Sequence, residues 1–137
     1  MPRIQADEFL SDPPAKALSA PAILIAGEEP YLIDKVLQMV LERVLTAPGA
    51  DSFDLEKRSA SDLTAAELDS IASTMPLVND RRVIVLKAVP EIGADTREKL
   101  KAILESRPDG LCLIGLGGPT MRGNLYDVWE KHGTRIV

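Results

Sequence analysis

The apolar residues of this chain fall into short continuous runs separated by stretches of helical spacing. Ala22-Ile23-Leu24-Ile25-Ala26, Val83-Ile84-Val85-Leu86 and Leu111-Cys112-Leu113-Ile114 are apolar at every position. Such runs, bounded by turn signals, predict strands covered on both faces, the pattern of a parallel sheet. Between the runs the period changes. From Pro30 to about Thr46, Leu32, Ile33, Val36, Leu37, Val40, Leu41, Val44 and Leu45 leave a polar stripe of only Asp34, Lys35, Gln38 and Glu42. A helix this apolar packs against a sheet and a neighbouring helix. Ala47-Pro48-Gly49 ends it. Asp51–Lys57 alternates, with Phe53 and Leu55 apolar between Asp54 and Glu56, which predicts a half-exposed edge strand. Thr64 and Glu67 have the spacing of a capping box, with Leu63 and Leu68 placed as its hydrophobic staple. That helix runs to about Thr74 and is stopped by Pro76. Asp95 with Glu98 opens another capped helix, with Leu100, Ile103 and Leu104 on its inner face. Leu125, Val128 and Trp129 mark a last helix closed by Gly133, and Arg135-Ile136-Val137 begins a final strand. The first 21 residues are polar and proline-bearing; Ile4, Phe9, Leu10 and Leu18 point to a short packed helix between loops. The order predicts an α/β fold: a parallel five-stranded sheet with helices on both faces.

Composition narrows the class. The 137 residues read as one domain, 45% hydrophobic and 27% charged. Aromatic residues are only 4%, so the core must be aliphatic. A net charge of -5 disfavours a surface that tracks a nucleic-acid backbone. Cys112 is the single cysteine, which excludes an internal disulfide and fits a reducing compartment. No apolar run approaches the roughly 20 residues of a membrane span, and Met1 to Leu10 lacks a signal-peptide core. The expected location is cytoplasmic, with no membrane partner. The last strand abuts the C-terminus, from which we expect the natural chain to continue.

The chemistry is notable for what its slots lack. Ala22–Ala26, Gly27 and the helix from Pro30 form the strand–turn–helix layout in which ATPases hold a phosphate-binding loop. Such a loop needs several glycines, so that backbone N–H groups can surround phosphates, followed by Gly-Lys and a hydroxyl. Here Glu28 and Glu29 follow the only glycine and would repel a phosphate. A hydrolytic site also needs acidic metal-holding residues after the second buried strand. Lys87 and Ala88 stand there. Other catalytic candidates have simpler readings. His132 sits near a helix C-terminus, where the dipole favours it. Cys112 lies in an apolar strand as a small hydrophobe. Glu28 and Glu29 diverge from a turn, and no Cys/His cluster exists for zinc. The residues therefore predict a binding module with no catalytic residue, cofactor or metal. The competing reading is a small doubly wound enzyme or module that binds a phosphorylated ligand at Gly27 or at Gly117-Gly118-Pro119-Thr120. A receiver-like module would need clustered carboxylates at strand ends, and Lys87 and Ala88 occupy one of those ends.

Two further segments carry alternatives. Arg81 and Arg82 could contact a phosphate or a partner carboxylate; solvated or locally paired arginines are the commoner case. Met75-Pro76-Leu77-Val78 places three large apolar residues around a helix-ending proline. They could tuck under the helix end, which the residues alone favour. They could instead form an exposed tip that enters a partner's pocket.

The strand and turn Ile23-Leu24-Ile25-Ala26-Gly27-Glu28-Glu29-Pro30-Tyr31-Leu32 carry a family resemblance. So do Thr74-Met75-Pro76-Leu77-Val78-Asn79-Asp80-Arg81-Arg82-Val83-Ile84-Val85 and the late strand Leu111-Cys112-Leu113-Ile114. In order and spacing they resemble the N-terminal domain of the delta subunit of the bacterial DNA polymerase III clamp loader. The resemblance spans the chain from residue 4. It implies an AAA+-type module without a functional phosphate-binding loop, a non-catalytic part of a DNA-directed DNA polymerase acting in DNA replication. It implies that the subunit binds the ring-shaped sliding clamp and opens one of its interfaces with an apolar wedge. The matching positions are Leu77 and Val78, with Met75 and Pro76 leading in. Family members often carry a bulky aromatic where this chain has Val78. The resemblance also implies further domains that join the other clamp-loader subunits, with DNA met only within the assembled complex. On that ground the tip reading of Leu77 and Val78 is preferred to the packed one.

Overall fold

In a computed structural model, residues 3–50, 54–78, 80–106, 110–118 and 123–137 are described. The chain runs through β1 (Arg3–Ile4), α1 (Ala6–Ser11), α2 (Ala15–Leu18), β2 (Ala22–Ala26) and α3 (Pro30–Val44). It continues through β3 (Leu55–Ser59), α4 (Ala65–Ala72), β4 (Arg82–Lys87), α5 (Ala94–Ser106), β5 (Leu111–Gly117), α6 (Asn124–His132) and β6 (Thr134–Ile136). One sheet holds six strands in the order β1-β6-β2-β5-β4-β3. Every pairing is parallel.

The three apolar runs become β2, β4 and β5, the centre of the sheet, and all five residues of β2 are buried. Alternation within these strands sorts side chains to two faces. Ala22, Leu24, Ala26, Ile84, Leu86 and Leu113 pack with Leu68, Leu100, Leu104 and Trp129 from α4, α5 and α6. Ile23, Ile25, Val83, Val85, Cys112 and Ile114 pack with Phe9, Ala17, Val36 and Val40 from α1, α2 and α3. Helices therefore cover both faces, as the unbroken apolar strands require.

Two glycines are set by close approach. A methyl group on Gly115, in β5, would meet Trp129 Cη2 at 2.4 Å. The indole thus lies flush on the strand, which places the largest buried side chain at the sheet centre. A methyl group on Gly133 would lie 2.0 Å from the Ala22 carbonyl oxygen, so only glycine lets α6 turn into β6 beside β2.

Several boundaries differ from expectation. The sheet has six strands, not five: Arg3–Ile4 pairs with Arg135 and Ile136 at the edge. Two residues are too few to show a strand period, and the single predicted N-terminal helix is two short ones. Helix α3 ends at Val44, two residues before Thr46; the residue before Pro48 is barred from the helical region, so the turn unwinds early. Helix α5 starts at Ala94, which puts Asp95 inside the first turn, where its charge suits the dipole, rather than at the cap. The predicted edge strand is real but shifted to Leu55–Ser59, pairing only with β4. Asp51 and Phe53 lie outside the described residues. Asp54, read as one polar position of an alternating strand, is fully buried. The capping box is present: Thr64 Oγ1 accepts from Glu67 N–H at 3.1 Å, and Glu67 Oε1 accepts from Thr64 N–H at 3.0 Å. That backbone bond and the Arg58 guanidinium hold the Glu67 carboxyl below its ordinary range.

Candidate functional site

Helix α4 ends by folding its last side chains back on its own carbonyls. Ser73 Oγ donates to the Asp69 carbonyl at 2.7 Å, and Thr74 Oγ1 to that of Ser70 at 3.0 Å. Pro76 cannot extend the helix, so the chain turns outward before entering β4. Met75 and Leu77 keep 71% and 72% of their surface in water, and Val78 keeps 44%. Of the five large apolar residues exposed among the described residues, three are at this turn; the others are Tyr31 and Leu32 on the first turn of α3. The packed alternative for Met75, Leu77 and Val78 is therefore not what the fold adopts. Pro76 is half-buried, its ring beside Gly110.

The turn is exposed in its side chains yet tied down in its backbone. The buried Asp54 carboxylate accepts the Leu77 N–H at 2.5 Å through Oδ1 and the Val78 N–H at 2.8 Å through Oδ2. Asp54 is itself fixed by its main chain, which donates to the Ala50 carbonyl at 2.7 Å and accepts from Val83 N–H at 2.8 Å. On the far side of the turn, Arg81 donates to the Ala20 carbonyl at 2.9 Å and the Leu18 carbonyl at 2.5 Å. Arg82 Nη2 reaches Glu56 Oε1 at 3.4 Å, and its N–H donates to the Gly110 carbonyl at 2.6 Å. Both arginines thus serve the fold locally. Sequence reasoning missed Asp54. The only signal was an acid in a segment otherwise read as a simple edge strand, and nothing local marks its partners 23 and 24 residues away.

The second candidate region lies at the carboxyl ends of the strands, where α/β folds bind ligands. Between β2 and α3 the chain spends only three residues, Gly27, Glu28 and Glu29, with Pro30 in the first helical turn. Glu28 and Glu29 are exposed. A phosphate cradle needs a longer glycine-bearing loop with several free N–H groups. Here the Glu29 carbonyl already accepts the N–H groups of Leu32 and Ile33 at 3.0 and 3.1 Å. Beside it, a cleft of about 600 Å³ is lined by Asp34, Lys57, Lys87, Glu91, Gly117 and Gly118 among others. Two lysines face two carboxylates, so the cleft holds no net positive charge to attract a phosphate. Ala88 at its rim has φ 54°, a left-handed conformation costly for a residue with a Cβ. Pro119 and Thr120 lie outside the described residues. No group of three or more His, Cys, Asp or Glu that could hold a metal occurs among the described residues. Burial pushes the Cys112 thiol up to about 11, which removes its thiolate at neutral pH. His132 closes α6, as its spacing predicted. Among the described residues no helix is long and apolar enough to cross a membrane.

Residues 23–119 match the model of the family described as DNA polymerase III, delta subunit. The chain belongs to the DNA polymerase III delta subunit family. The match covers β2 to the end of β5, and so includes both the three-residue turn and the exposed tip. The fold is also that of the Bacillus subtilis DNA clamp loader delta protein. The TM-score is 0.76 at 16% identity over 96% of this chain and 40% of that one. RuvB of Thermotoga maritima superposes with a TM-score of 0.66 at 14% identity, over 96% of this chain and 44% of that protein. These likenesses show an AAA+-like α/β module. A 74-residue stretch is 32% identical to Tonsoku-like protein of Bos taurus, covering 53% of this chain and 5% of that protein. The chain therefore spans less than half the length of each of these proteins.

Proposed function

We propose that this delta-family module engages a sliding clamp through the tip Met75-Pro76-Leu77-Val78 and takes part in clamp loading without hydrolysing ATP. The observation that carries the reading is the pairing of opposites at the tip. Leu77 and Val78 stand out in water, while their backbone is held by a buried carboxylate. Hot-spot side chains fill well-packed, desolvated pockets, and an exposed apolar side chain on a fixed backbone is pre-organised to enter one. A Leu or Val side chain moved from water into a pocket contributes about 1.5–3 kcal/mol. Leu77 and Val78 are the wedge, and Met75 and Pro76 flank it. Val78 offers less area than an aromatic there, which shifts weight to Leu77 and Met75. The other clamp-loader subunits would be met by parts of the subunit outside this chain, and DNA within the assembled complex in the cytoplasm.

Non-hydrolysis is supported by the three-residue turn at Gly27 and by Lys87 and Ala88 at the end of β4. Calorimetry with ATP and magnesium should show no binding. Heat that fits a Kd below about 100 μM, roughly -5.5 kcal/mol, would refute this and favour the phosphorylated-ligand reading. The direct test of the main proposal is a binding isotherm of the chain against the sliding clamp of the same organism. Saturable binding is expected; none at micromolar clamp, about -8 kcal/mol, would refute it.

A further inference from the structure

The fold places a fully buried carboxylate directly beneath an exposed apolar turn. Asp54 lies at the mouth of β3, two dozen residues upstream of the tip, and none of its surface reaches solvent. A carboxylate at such a place is costly unless its lone pairs are filled. Its two oxygens each take one of two successive N–H groups, Leu77 at 2.5 Å and Val78 at 2.8 Å. Successive N–H groups converge on one anion only when the backbone curls round it. The carboxylate therefore fixes the local conformation as well as the position of the turn. Backbone that points its N–H groups inward must point these side chains elsewhere, and here they point into water.

We infer that Asp54 is the positioning residue of the tip. It holds the Leu77–Val78 backbone in the conformation that presents both side chains outward, so that a partner meets a preformed wedge. The consequence for binding rests on the clamp reading above; the positioning itself does not. Preformation matters because affinity falls in proportion to the fraction of molecules in the competent conformation. The main-chain bonds of Asp54 to Ala50 and Val83 tie the carboxylate to the sheet, so the tip inherits the rigidity of β4 rather than that of a free loop.

Amide hydrogen exchange on the chain tests this without any variant. The Leu77 and Val78 amides should exchange at least tenfold more slowly than that of Met75, despite their exposed side chains. Equal rates at the three positions would overturn the inference. Asp54→Asn then keeps the shape but replaces one acceptor oxygen with a donor that faces an N–H. Exchange at Leu77 and Val78 should rise at least tenfold, while Ile84 and Leu113 in the central strands keep their rates. A uniform rise across all four would mean that Asp54 only supports the fold, and would overturn the positioning role. Against the sliding clamp, Asp54→Asn should bind at least fivefold more weakly. A loosened tip with unchanged affinity would overturn the link to binding. If the native chain itself fails to bind the clamp while Leu77 and Val78 are protected, the clamp reading falls and the positioning of the tip stands.

Discussion

Truncating the tip separates a surface anchor from a core element, because the two predict opposite pairs of results. The perturbation is Leu77→Ala with Val78→Ala. Leu77 has 72% of its surface in water and Val78 44%, so folding buries only about a quarter of one and half of the other. Full burial of such a side chain is worth about 2 kcal/mol. Losing those fractions therefore costs at most about 0.5 and 1 kcal/mol, and less to the extent that alanine keeps its Cβ contact. The Leu77 and Val78 N–H bonds to Asp54 are main-chain and survive the change. Were these residues in the core, two truncations would cost about 2–5 kcal/mol each through lost transfer energy and cavities. Leu86, fully buried on β4, is the internal control: Leu86→Ala should lose stability on that larger scale. Binding should show the reverse order. Two anchors removed from a hot spot commonly cost about 2 kcal/mol or more, a loss of at least thirtyfold in affinity at 1.4 kcal/mol per decade. The assay pairs a urea melt with a clamp-binding isotherm on the same preparation. A stability loss above about 3 kcal/mol, or unchanged clamp affinity in a folded double mutant, would refute the argument. Val78→Phe should leave the melt unchanged and tighten binding if the clamp pocket accepts an aromatic.

Other features give independent tests. Thr64→Ala removes one half of the capping box and should destabilise the chain by about 1 kcal/mol; a melt indistinguishable from the native one would contradict the cap. Gly133→Ala sets a methyl group 2.0 Å from the Ala22 carbonyl oxygen, a main-chain atom that cannot swing aside. It should cost at least about 2 kcal/mol, and a shift under 0.5 kcal/mol, roughly the size of ordinary surface changes, would count against the β2–β6 junction described. Cys112 supplies a pH test. Burial raises its thiol from 9.0 to about 11, so the unfolded chain releases that proton first as pH rises. Its contribution is complete below pH 9 and is lost as pH climbs to about 11. The stability difference between the native chain and Cys112→Ala should shift by about 3 kcal/mol against the native chain across that window; a flat difference would refute the buried thiol.

Much of this protein was fixed by local pattern. Three apolar runs were enough for the central strands, because a strand covered on both faces has no polar position to offer. Thr64 and Glu67 announced a helix start because capping is completed within four residues. Gly27-Glu28-Glu29 argued against a phosphate cradle on chemistry alone, since it lacks both the glycines and the charge. What the pattern could not carry was any decision made across distance. The sixth strand has two residues and exists only because β6 offers it an edge. Gly115 and Gly133 look like ordinary glycines until Trp129 and the Ala22 carbonyl are brought against them. The tip was ambiguous for the same reason: Met75, Leu77 and Val78 are apolar whether packed or exposed, and hydrophobicity alone favours packing. Asp54 resolved it. An acid in the sequence reads as surface, because burying a charge is unfavourable unless its lone pairs are filled. The two N–H groups that fill them come from Leu77 and Val78, and only the fold brings those residues to it.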